Sequence, residues 1–488
     1  MLRQGARATS WGRSSPSTST SCDRAHRTRL DAAKQRLEIR TVRSVSEVDS
    51  HQWNSAAGDN PFVSHEFLAA LEESGSASAQ QGWAPCHLVL KEEDGEDVLG
   101  VVPLYLKSHS YGEYVFDHSW AQAYSRICRT GVFGGGSYYP KLQSCVPFSP
   151  VTGPRLLVND QLSSEDREST LQVLSKSLVS VADEMKVSSL HVTFNSEEDA
   201  AHLSADAGYL TRYGIQYHWE NDGYATFDDF LMSLRQSKRK SIRQERKCAA
   251  KNDLRVYRAL GSEMSPSDWD TFYQVSGTLT AAGLSPAPKL TLTDSLFQFY
   301  LNTCDKKWGE AYLNREFFQI MGETMGDKVM VVFVEDSFGT KVAGALNLVG
   351  KDTLYGRNWG CKNGECNLSI TRSLARTFAV ADFLCFFPLN LTGLRVKHLH
   401  FEVCYYQALE HAIEMGLARV EAGAQGEHKI QRGYLPTRTY SAHYIKDPRF
   451  KSAIKDFLRQ EHQQIDYTLE VLEQELSPYK SPPGSGAQ

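Results

Sequence analysis

Three things are scarce in this chain, and each scarcity closes a class of explanation. Ten cysteines are scattered through 488 residues without a C-x2-C pair, and the nearest two, Cys361 and Cys366, lack zinc-knuckle spacing. Reduced thiols therefore fit better than a disulfide framework, and no metal site is expected. Long apolar runs are missing too. A membrane helix needs roughly 18 consecutive apolar residues, whereas the nearest approach, Phe378 to Phe387, contains Asp382 and stops at Pro388, so no integral membrane segment is expected. Finally, no sign of charge dominates: 53 basic against 58 acidic residues leave a net charge of −5. That argues against a generally nucleic-acid-coating surface, and any polyanion site has to be local.

The N-terminus reads as a leader. Arg3, Arg7, Arg13, Arg24, Arg27 and Arg29 are interspersed with serines and threonines, and Asp23 is the only acid before Asp31. That is transit-peptide composition, compatible with mitochondrion or plastid, with an ordinary disordered tail as the alternative. At about 100–200 residues per domain the remainder divides into two or three. We place a leader at 1–38, a first domain at 39–215, a second at 216–447, an amphipathic helix at 448–478 and a tail at 479–488.

Along the chain, Ser64 is an N-cap candidate. Strands are expected at Cys86–Lys91, Val98–Tyr105, Ser188–Phe194, Val329–Glu335, Val342–Val349 and Thr353–Gly360, with a helix over Leu171–Met185. Between the early strands and this helix lies an irregular region rich in Tyr, Trp and Pro, in which Asp117, Trp120, Tyr124, Tyr139 and Lys141 are candidate ligand-binding residues. A faint repeat is visible: Ala182-Asp-Glu-Met185 leads into Leu190, as Ala412-Ile-Glu-Met415 leads into Val420. Two related α/β units follow from it.

Just past the boundary, Arg235, Arg239, Arg243 and Lys247 stand four apart on one side of an expected helix. Like charges at that spacing repel by about 0.2–0.5 kcal/mol per pair. An anionic partner would remove the penalty; a solvated helix face is the alternative. In the strand at 353–360, Tyr355, Arg357 and Trp359 alternate, so all three are expected on one face, where the Arg suits a carboxylate or phosphate, or an ion pair with Glu402 or Glu421.

The stretch His400–Tyr434 is the expected active site. Val403, Tyr406, Ala408, Ile413 and Leu417 share or border one helix face, with Glu402, Glu410 and Glu414 outward. Gly416 ends the helix, and Leu417–Ala422 reads as a strand. Then Gly423, Gln425, Gly426, Glu427, His428, Lys429, Gln431, Arg432 and Gly433 gather glycines and polar groups in one loop.

Several motifs together resemble the FemAB-like family of predicted N-acyltransferases: Asn60-Pro-Phe, Pro103-Leu-Tyr-Leu-Lys, Tyr138-Tyr-Pro-Lys-Leu-Gln, Pro147-Phe-Ser-Pro-Val-Thr-Gly-Pro-Arg, Leu354-Tyr-Gly-Arg-Asn-Trp-Gly-Cys, His400-Phe-Glu-Val-Cys-Tyr-Tyr-Gln and Glu421-Ala-Gly-Ala-Gln-Gly-Glu-His-Lys. The resemblance covers nearly the whole chain after the leader. It implies an α/β protein of two tandem GNAT-like domains, with mixed central sheets flanked by helices, akin to the enzymes that append amino acids to peptidoglycan. Val275–Gln298 and about Cys366–Val396 depart from the family and read as insertions or as translated intron sequence.

Such an enzyme moves an acyl group from an activated donor, acyl-CoA or aminoacyl-tRNA, to an amine, and holds no permanent cofactor. It needs a proton acceptor and an oxyanion stabiliser. His428 is the first choice as base, then Glu421 or Glu427. A loop histidine bonded to a backbone carbonyl, and a Glu421–Arg357 ion pair, are the structural alternatives. Lys429 and Arg432, with amides at Gly423, Gln425, Gly426 and Gly433, suit a donor's phosphates or carboxylate; Tyr355, Arg357, Trp359 and Glu402 suit a substrate. The loop matches the coenzyme A pyrophosphate loop only loosely. The alternative function is a catalytically silent module binding a glycan, RNA or anionic lipid. The C-terminal stripe Phe450, Ile454, Phe457, Leu458, Ile465, Leu469, Leu472 and Leu476 suits packing in a monomer or a homodimer seam.

Overall fold

A computed structural model describes residues 27–32, 35–93, 95, 97–129, 136–251, 253–273, 312–361, 396–423 and 426–480. Gln425, most of the leader, the stretch 275–298 and 366–395 of the second suspected insertion lie outside the described residues.

The strands are β1 (Arg27–Ala32), β2 (Gln35–Val42), β3 (Trp83–Pro85), β4 (His87–Glu92), β5 (Val98–Val102), β6 (Tyr105–Lys107), β7 (Lys141–Ser144), β8 (Leu157–Val158), β9 (Ser189–Asn195), β10 (Leu210–Glu220), β11 (Arg255–Leu260), β12 (Val329–Glu335), β13 (Lys341–Val349), β14 (Thr353–Cys361), β15 (Arg419–Glu421) and β16 (Leu435–Ile445). The helices are α1 (Ser50–Ala57), α2 (His65–Glu73), α3 (His118–Arg129), α4 (Ser164–Glu184), α5 (Glu197–Ala207), α6 (Phe227–Ser233), α7 (Gln236–Ala249), α8 (Pro266–Tyr273), α9 (Arg315–Met325), α10 (Leu399–Phe401), α11 (Gln407–Glu414) and α12 (Pro448–Leu476). Short polar side chains start several helices: Ser64, Ser163, Ser196 and Thr226 each accept a backbone N–H of the first turn, satisfying donors that have no partner within the helix.

One sheet runs β11-β12-β13-β14-β15-β10-β16-β9-β7-β6-β3, and a second runs β1-β2-β4-β5-β8. The large sheet crosses both halves because two strands exchange places. β10, from the junction of the halves, pairs with β15, and β16, from the far end, pairs with β9. The cores interlock likewise: Trp53, Phe62 and Phe67 share a cluster with Phe317, Phe318, Val331 and Tyr355. β1 and β2 overlap the stretch 1–38 assigned to a leader, and Leu37 pairs with Glu92.

Each half repeats one unit. β7 pairs in parallel with β9, and β14 with β15. A helix precedes the second strand of each pair and covers one face: α4 through Leu171, Leu174 and Leu178 against Leu190 and Val192, α11 through Ala408, Leu409 and Ala412 against Leu354 and Val420. The faint sequence repeat marks these two places. Gly416 ends the second helix segment at φ 67°, a conformation that costs a Cβ-bearing residue energy.

Three expectations are corrected. Tyr355, Arg357 and Trp359 do not share a face, because the β13–β14 register slips between Ala345 and Asn347. The extra residue of the bulge inverts the alternation beyond it, so Tyr355 joins the cluster of Phe62 while Trp359 packs against that of Leu354 and Val420. Glu402 is not outward but 6% exposed. Residues Glu402–Tyr406 form a π-helical turn, whose wider turn changes the face each side chain takes. Arg235 is the residue before α7 and not part of its stripe. The helix at 448–476 buries Phe450, Ile454, Leu458 and Leu472, whereas Phe457 stays 44% exposed.

Candidate functional site

The two parallel pairs place two residues at equivalent positions. Gln143 lies beside His191 and His443 on its other side; Tyr355 lies beside Glu421, with His218 beyond. His191 and Glu421 each fall nine residues after the alanine of their own helix–strand motif, 182 to 191 and 412 to 421. Because Leu190 and Val420 face the covering helices, strand alternation turns His191 and Glu421 to the opposite face.

The second-half row is simple. Glu421 is 5% exposed, and Thr152 Oγ1 donates to its Oε1 at 2.5 Å, with the Thr152 amide at 3.5 Å from Oε2. His218 Nε2 stands 3.9 Å from Oε1. Burial pulls that histidine down to about 3, so it is neutral near pH 7. Burial raises the Glu421 carboxyl above its ordinary value, against the opposing pull of Thr152, Arg419 and Arg357. The Tyr355 phenol is likewise pushed up, by burial first and then by Glu421. Arg357 lies over the Phe62 ring at 5.5 Å and donates to the Phe148 carbonyl at 3.2 Å. Past Glu421 strand β15 ends, while β14 continues to Cys361.

The polar loop lies beyond that end and folds against the other face. Glu427–Arg432 is a 3-10 turn between Gly426 at φ 116° and Gly433 at φ 96°. His428 Nε2 lies 2.9 Å from the Tyr405 hydroxyl. Lys429 donates to the Gly423 carbonyl at 2.8 Å. Arg432 stacks 3.3 Å above Phe401 and donates to the His428 carbonyl at 2.7 Å and to Glu245 at 2.8 Å. Glu427 is exposed. The inner face of α7 clamps the turn: Lys238 bonds Gln431, Glu245 also accepts from Tyr406, and Arg246 spans Glu402 and Glu410, each at 3.0 Å. Arg239, Arg243 and Lys247 lie outside this clamp, and Arg243 reaches Asp228 at 3.0 Å.

The first-half row is enclosed in a network. His191 Nδ1 meets His443 Nδ1 at 2.7 Å, and its Nε2 meets Ser189 at 2.8 Å and Tyr138 at 3.2 Å. The Tyr138 hydroxyl donates to Asp117 at 2.5 Å. Lys141, fully buried, donates to Asp117 at 2.6 Å and Glu113 at 2.7 Å. Burial drives Asp117 up, but Lys141 and His191 outweigh it and hold the carboxyl well below its usual range. Burial lifts Glu113 to about 7 despite Lys141, and lowers Lys107 to about 7. Lys107 sits 3.4 Å over the Trp83 ring. Trp120 packs edge-on to His443 at 4.9 Å, Tyr124 against Phe450 at 5.2 Å, and Tyr139 bonds Ser110 at 2.7 Å. Outside this network, Tyr111, Gly112, Tyr114, Phe116, His118 and Tyr312 line a cavity of about 270 Å³.

The sequence-predicted residues thus fall into three groups. Tyr355, Arg357 and Glu421 come together; His428, Lys429 and Arg432 meet on the other face with Trp359 and Glu402 nearby; Asp117, Trp120, Tyr124, Tyr139 and Lys141 belong to the first-half network. Sequence reasoning missed Thr152, His218, Tyr405, His191 and Glu245. Thr152 stands inside the run Pro147–Arg155 and was the most findable; His218 lies in a stretch read as a boundary.

Among the described residues no group of three or more His, Cys, Asp or Glu could hold a metal ion, and no helix is long and apolar enough to cross a membrane. A search of the curated proteins found no match. Among solved structures the chain is similar to FemX at 12% identity, covering 78% of this chain and 92% of that one, TM-score 0.43. It is similar to a tandem GNAT protein from the clavulanic acid biosynthesis pathway at 12% identity, covering 84% and 99%, TM-score 0.36. It is also similar to the C-terminal domain of a putative lysylphosphatidylglycerol synthetase from Agrobacterium fabrum at 10% identity, covering 88% and 97%, TM-score 0.43. A family profile matches residues 44–293, 287–370 and 393–481, leaving 371–392 uncovered within the suspected insertion. The chain belongs to the FemAB-like family of peptidoglycan biosynthesis and recognition.

Proposed function

We propose that the protein transfers an acyl or aminoacyl group from an activated donor, acyl-CoA or aminoacyl-tRNA, to an amine, with Glu421 taking the proton. One observation carries this reading: a carboxylate buried at the end of a parallel strand pair, beside a neutral histidine, with raised proton affinity. An amine that attacks an acyl carbonyl becomes an ammonium in the tetrahedral intermediate and must lose a proton before the amide is complete. A carboxylate whose pKa lies closer to the working pH is a better acceptor for it. Tyr355, kept protonated by burial, is placed on the neighbouring strand to return a proton to the leaving group. Among the described residues no strand pairs with β14 on the β15 side beyond Tyr355, and in this reading that edge takes an extended donor chain.

The aromatic cavity is the proposed acceptor site. It connects to the centre through Phe148, which stacks on Tyr312 at 5.1 Å and accepts from Arg357 at 3.2 Å. In this reading Lys429 and Arg432 hold the turn, since both donate to groups of the protein itself, and the His428–Tyr405 pair flanks the donor. The test offers acetyl-CoA or alanyl-tRNA with a lysine-bearing peptide or glucosamine, and measures amide formation. Glu421→Gln keeps an acceptor for Thr152 but no base, and is expected to lower turnover about 10²–10⁴-fold while donor-induced thermal stabilisation is retained. Unchanged turnover in Glu421→Gln would remove Glu421 from the reaction.

A further inference from the structure

The two sides of α7 do different things. Its inner side is spent on the protein: Ile242 and Ala249 are buried, Lys238 and Glu245 hold the 427–432 turn, and Arg246 bridges two glutamates. Its outer side is exposed at Gln236, Lys240, Arg243, Gln244 and Lys247, with no apolar side chain among them. Lys240 and Lys247 make no ion pair among the described residues, Arg239 has one guanidinium nitrogen enclosed without a partner, and only Arg243 meets an acid, the exposed Asp228. In a chain of net charge −5, this row is a local concentration of positive charge on a rigid rod, repeating about every 6 Å where basic residues stand four apart.

We propose that the outer face of α7 docks the phosphodiester backbone of an RNA strand. A regular file of cations suits a regular file of phosphates, and docking would relieve the repulsion among them. A membrane-bound helix would instead lay an apolar face into the lipid, and the apolar face of α7 is already in the protein core. Because the inner face grips the turn that carries His428 and Arg432, an RNA held on the outer face is anchored next to the candidate site. As the carrier of an aminoacyl donor such an RNA rests on the transfer reading, but the surface is tested by binding alone, so either can fail without the other.

The experiment titrates the full chain into a fluorescein-labelled single-stranded RNA 20-mer and an uncharged tRNA at several salt concentrations, with vesicles containing phosphatidylserine as a separate arm. Wild-type protein is expected to bind RNA with an affinity that falls steeply with salt. Lys240→Gln, Arg243→Gln and Lys247→Gln combined are expected to weaken binding at least about tenfold at low salt, and to flatten the log–log salt slope by about 0.7 to 0.9 for each phosphate no longer neutralised. The midpoint of thermal unfolding should be unchanged, since the three side chains are exposed. Equal RNA binding and equal slopes for wild type and triple variant would overturn the proposal. So would binding to the vesicles without binding to either RNA. Amide formation with acetyl-CoA alone, together with RNA binding of the expected slope, would keep the docking surface and separate it from the donor.

Discussion

The two strand pairs occupy equivalent places and carry opposite chemistry. In the first half, His191 belongs to a buried network in which the one Lys141 ammonium meets both Glu113 and Asp117 and the histidine meets Tyr138, Ser189 and His443. Glu113 Oε1, Asp117 Oδ1 and His443 Nε2 are nevertheless enclosed without a hydrogen-bond partner among the described residues. In the second half, Glu421 has one hydroxyl and one backbone amide for partners and a neutral histidine beside it. The same register position therefore serves as framework in one half and, in our reading, as reacting group in the other. Raised proton affinity occurs in both halves, at Glu113 and at Glu421. What differs is that Glu113 is held by a buried lysine, whereas Glu421 is held by a hydroxyl and an amide at the end of a strand pair, where a proton can be exchanged.

The sharpest way to break the framework side is to remove its cation. Lys141→Met removes the ammonium that Glu113 and Asp117 share, and should cost about 3–5 kcal/mol of stability, read by chemical denaturation. A loss under about 1 kcal/mol would mean that the network is not the keystone its burial implies.

A second prediction uses pH. The Glu113 carboxyl, lifted from 4.5 to about 7 in the fold, binds its proton more tightly when native. Stability from this group is full below the unfolded value and is lost as pH rises through 4.5 to about 7. Lys107, lowered from 10.5 to about 7, acts oppositely: the unfolded chain binds its proton more tightly, so stability is regained from about 7 towards 10.5. Glu113→Gln should flatten the falling limb by an amount of order 1 kcal/mol and leave the rising limb in place, which a series of denaturation curves from pH 4.5 to 10 would show.

The smallest expected effect sharpens the other side. Thr152 lowers the Glu421 carboxyl by hydrogen bonding, so Thr152→Val should move the rising limb of the turnover profile to higher pH. The shift corresponds to about 1 kcal/mol, the net worth of a typical intramolecular hydrogen bond. A profile that does not move would place Glu421 outside the titration that controls the rate.

How far the sequence reaches depends on the range of the interaction. β12 coincides with the expected Val329–Glu335 because an apolar run buried on both faces is a local signal, and Gly416 ended its helix as its left-handed φ requires. The face of Trp359 was unreadable, because the bulge that turns it is set by pairing with β13. The burial of Glu402 was missed because a π-helical turn leaves little trace in residue spacing, and because Arg246 lies 156 residues away. Thr152 and Glu421 are 269 residues apart, and only the exchange of β10 and β16 brings the two halves into that register. The polar loop was visible as composition. That its cations are spent on Glu245, Gly423 and His428 required the fold.

The most direct measurement sets the two equivalent positions against each other: turnover and thermal midpoint of Glu421→Gln and His191→Gln, side by side under one assay. The account predicts a crossed result, with Glu421→Gln losing turnover at a nearly unchanged midpoint and His191→Gln losing midpoint while its folded fraction turns over normally. Parallel losses in both variants, or lost turnover in a stable His191→Gln with Glu421→Gln fully active, would contradict it.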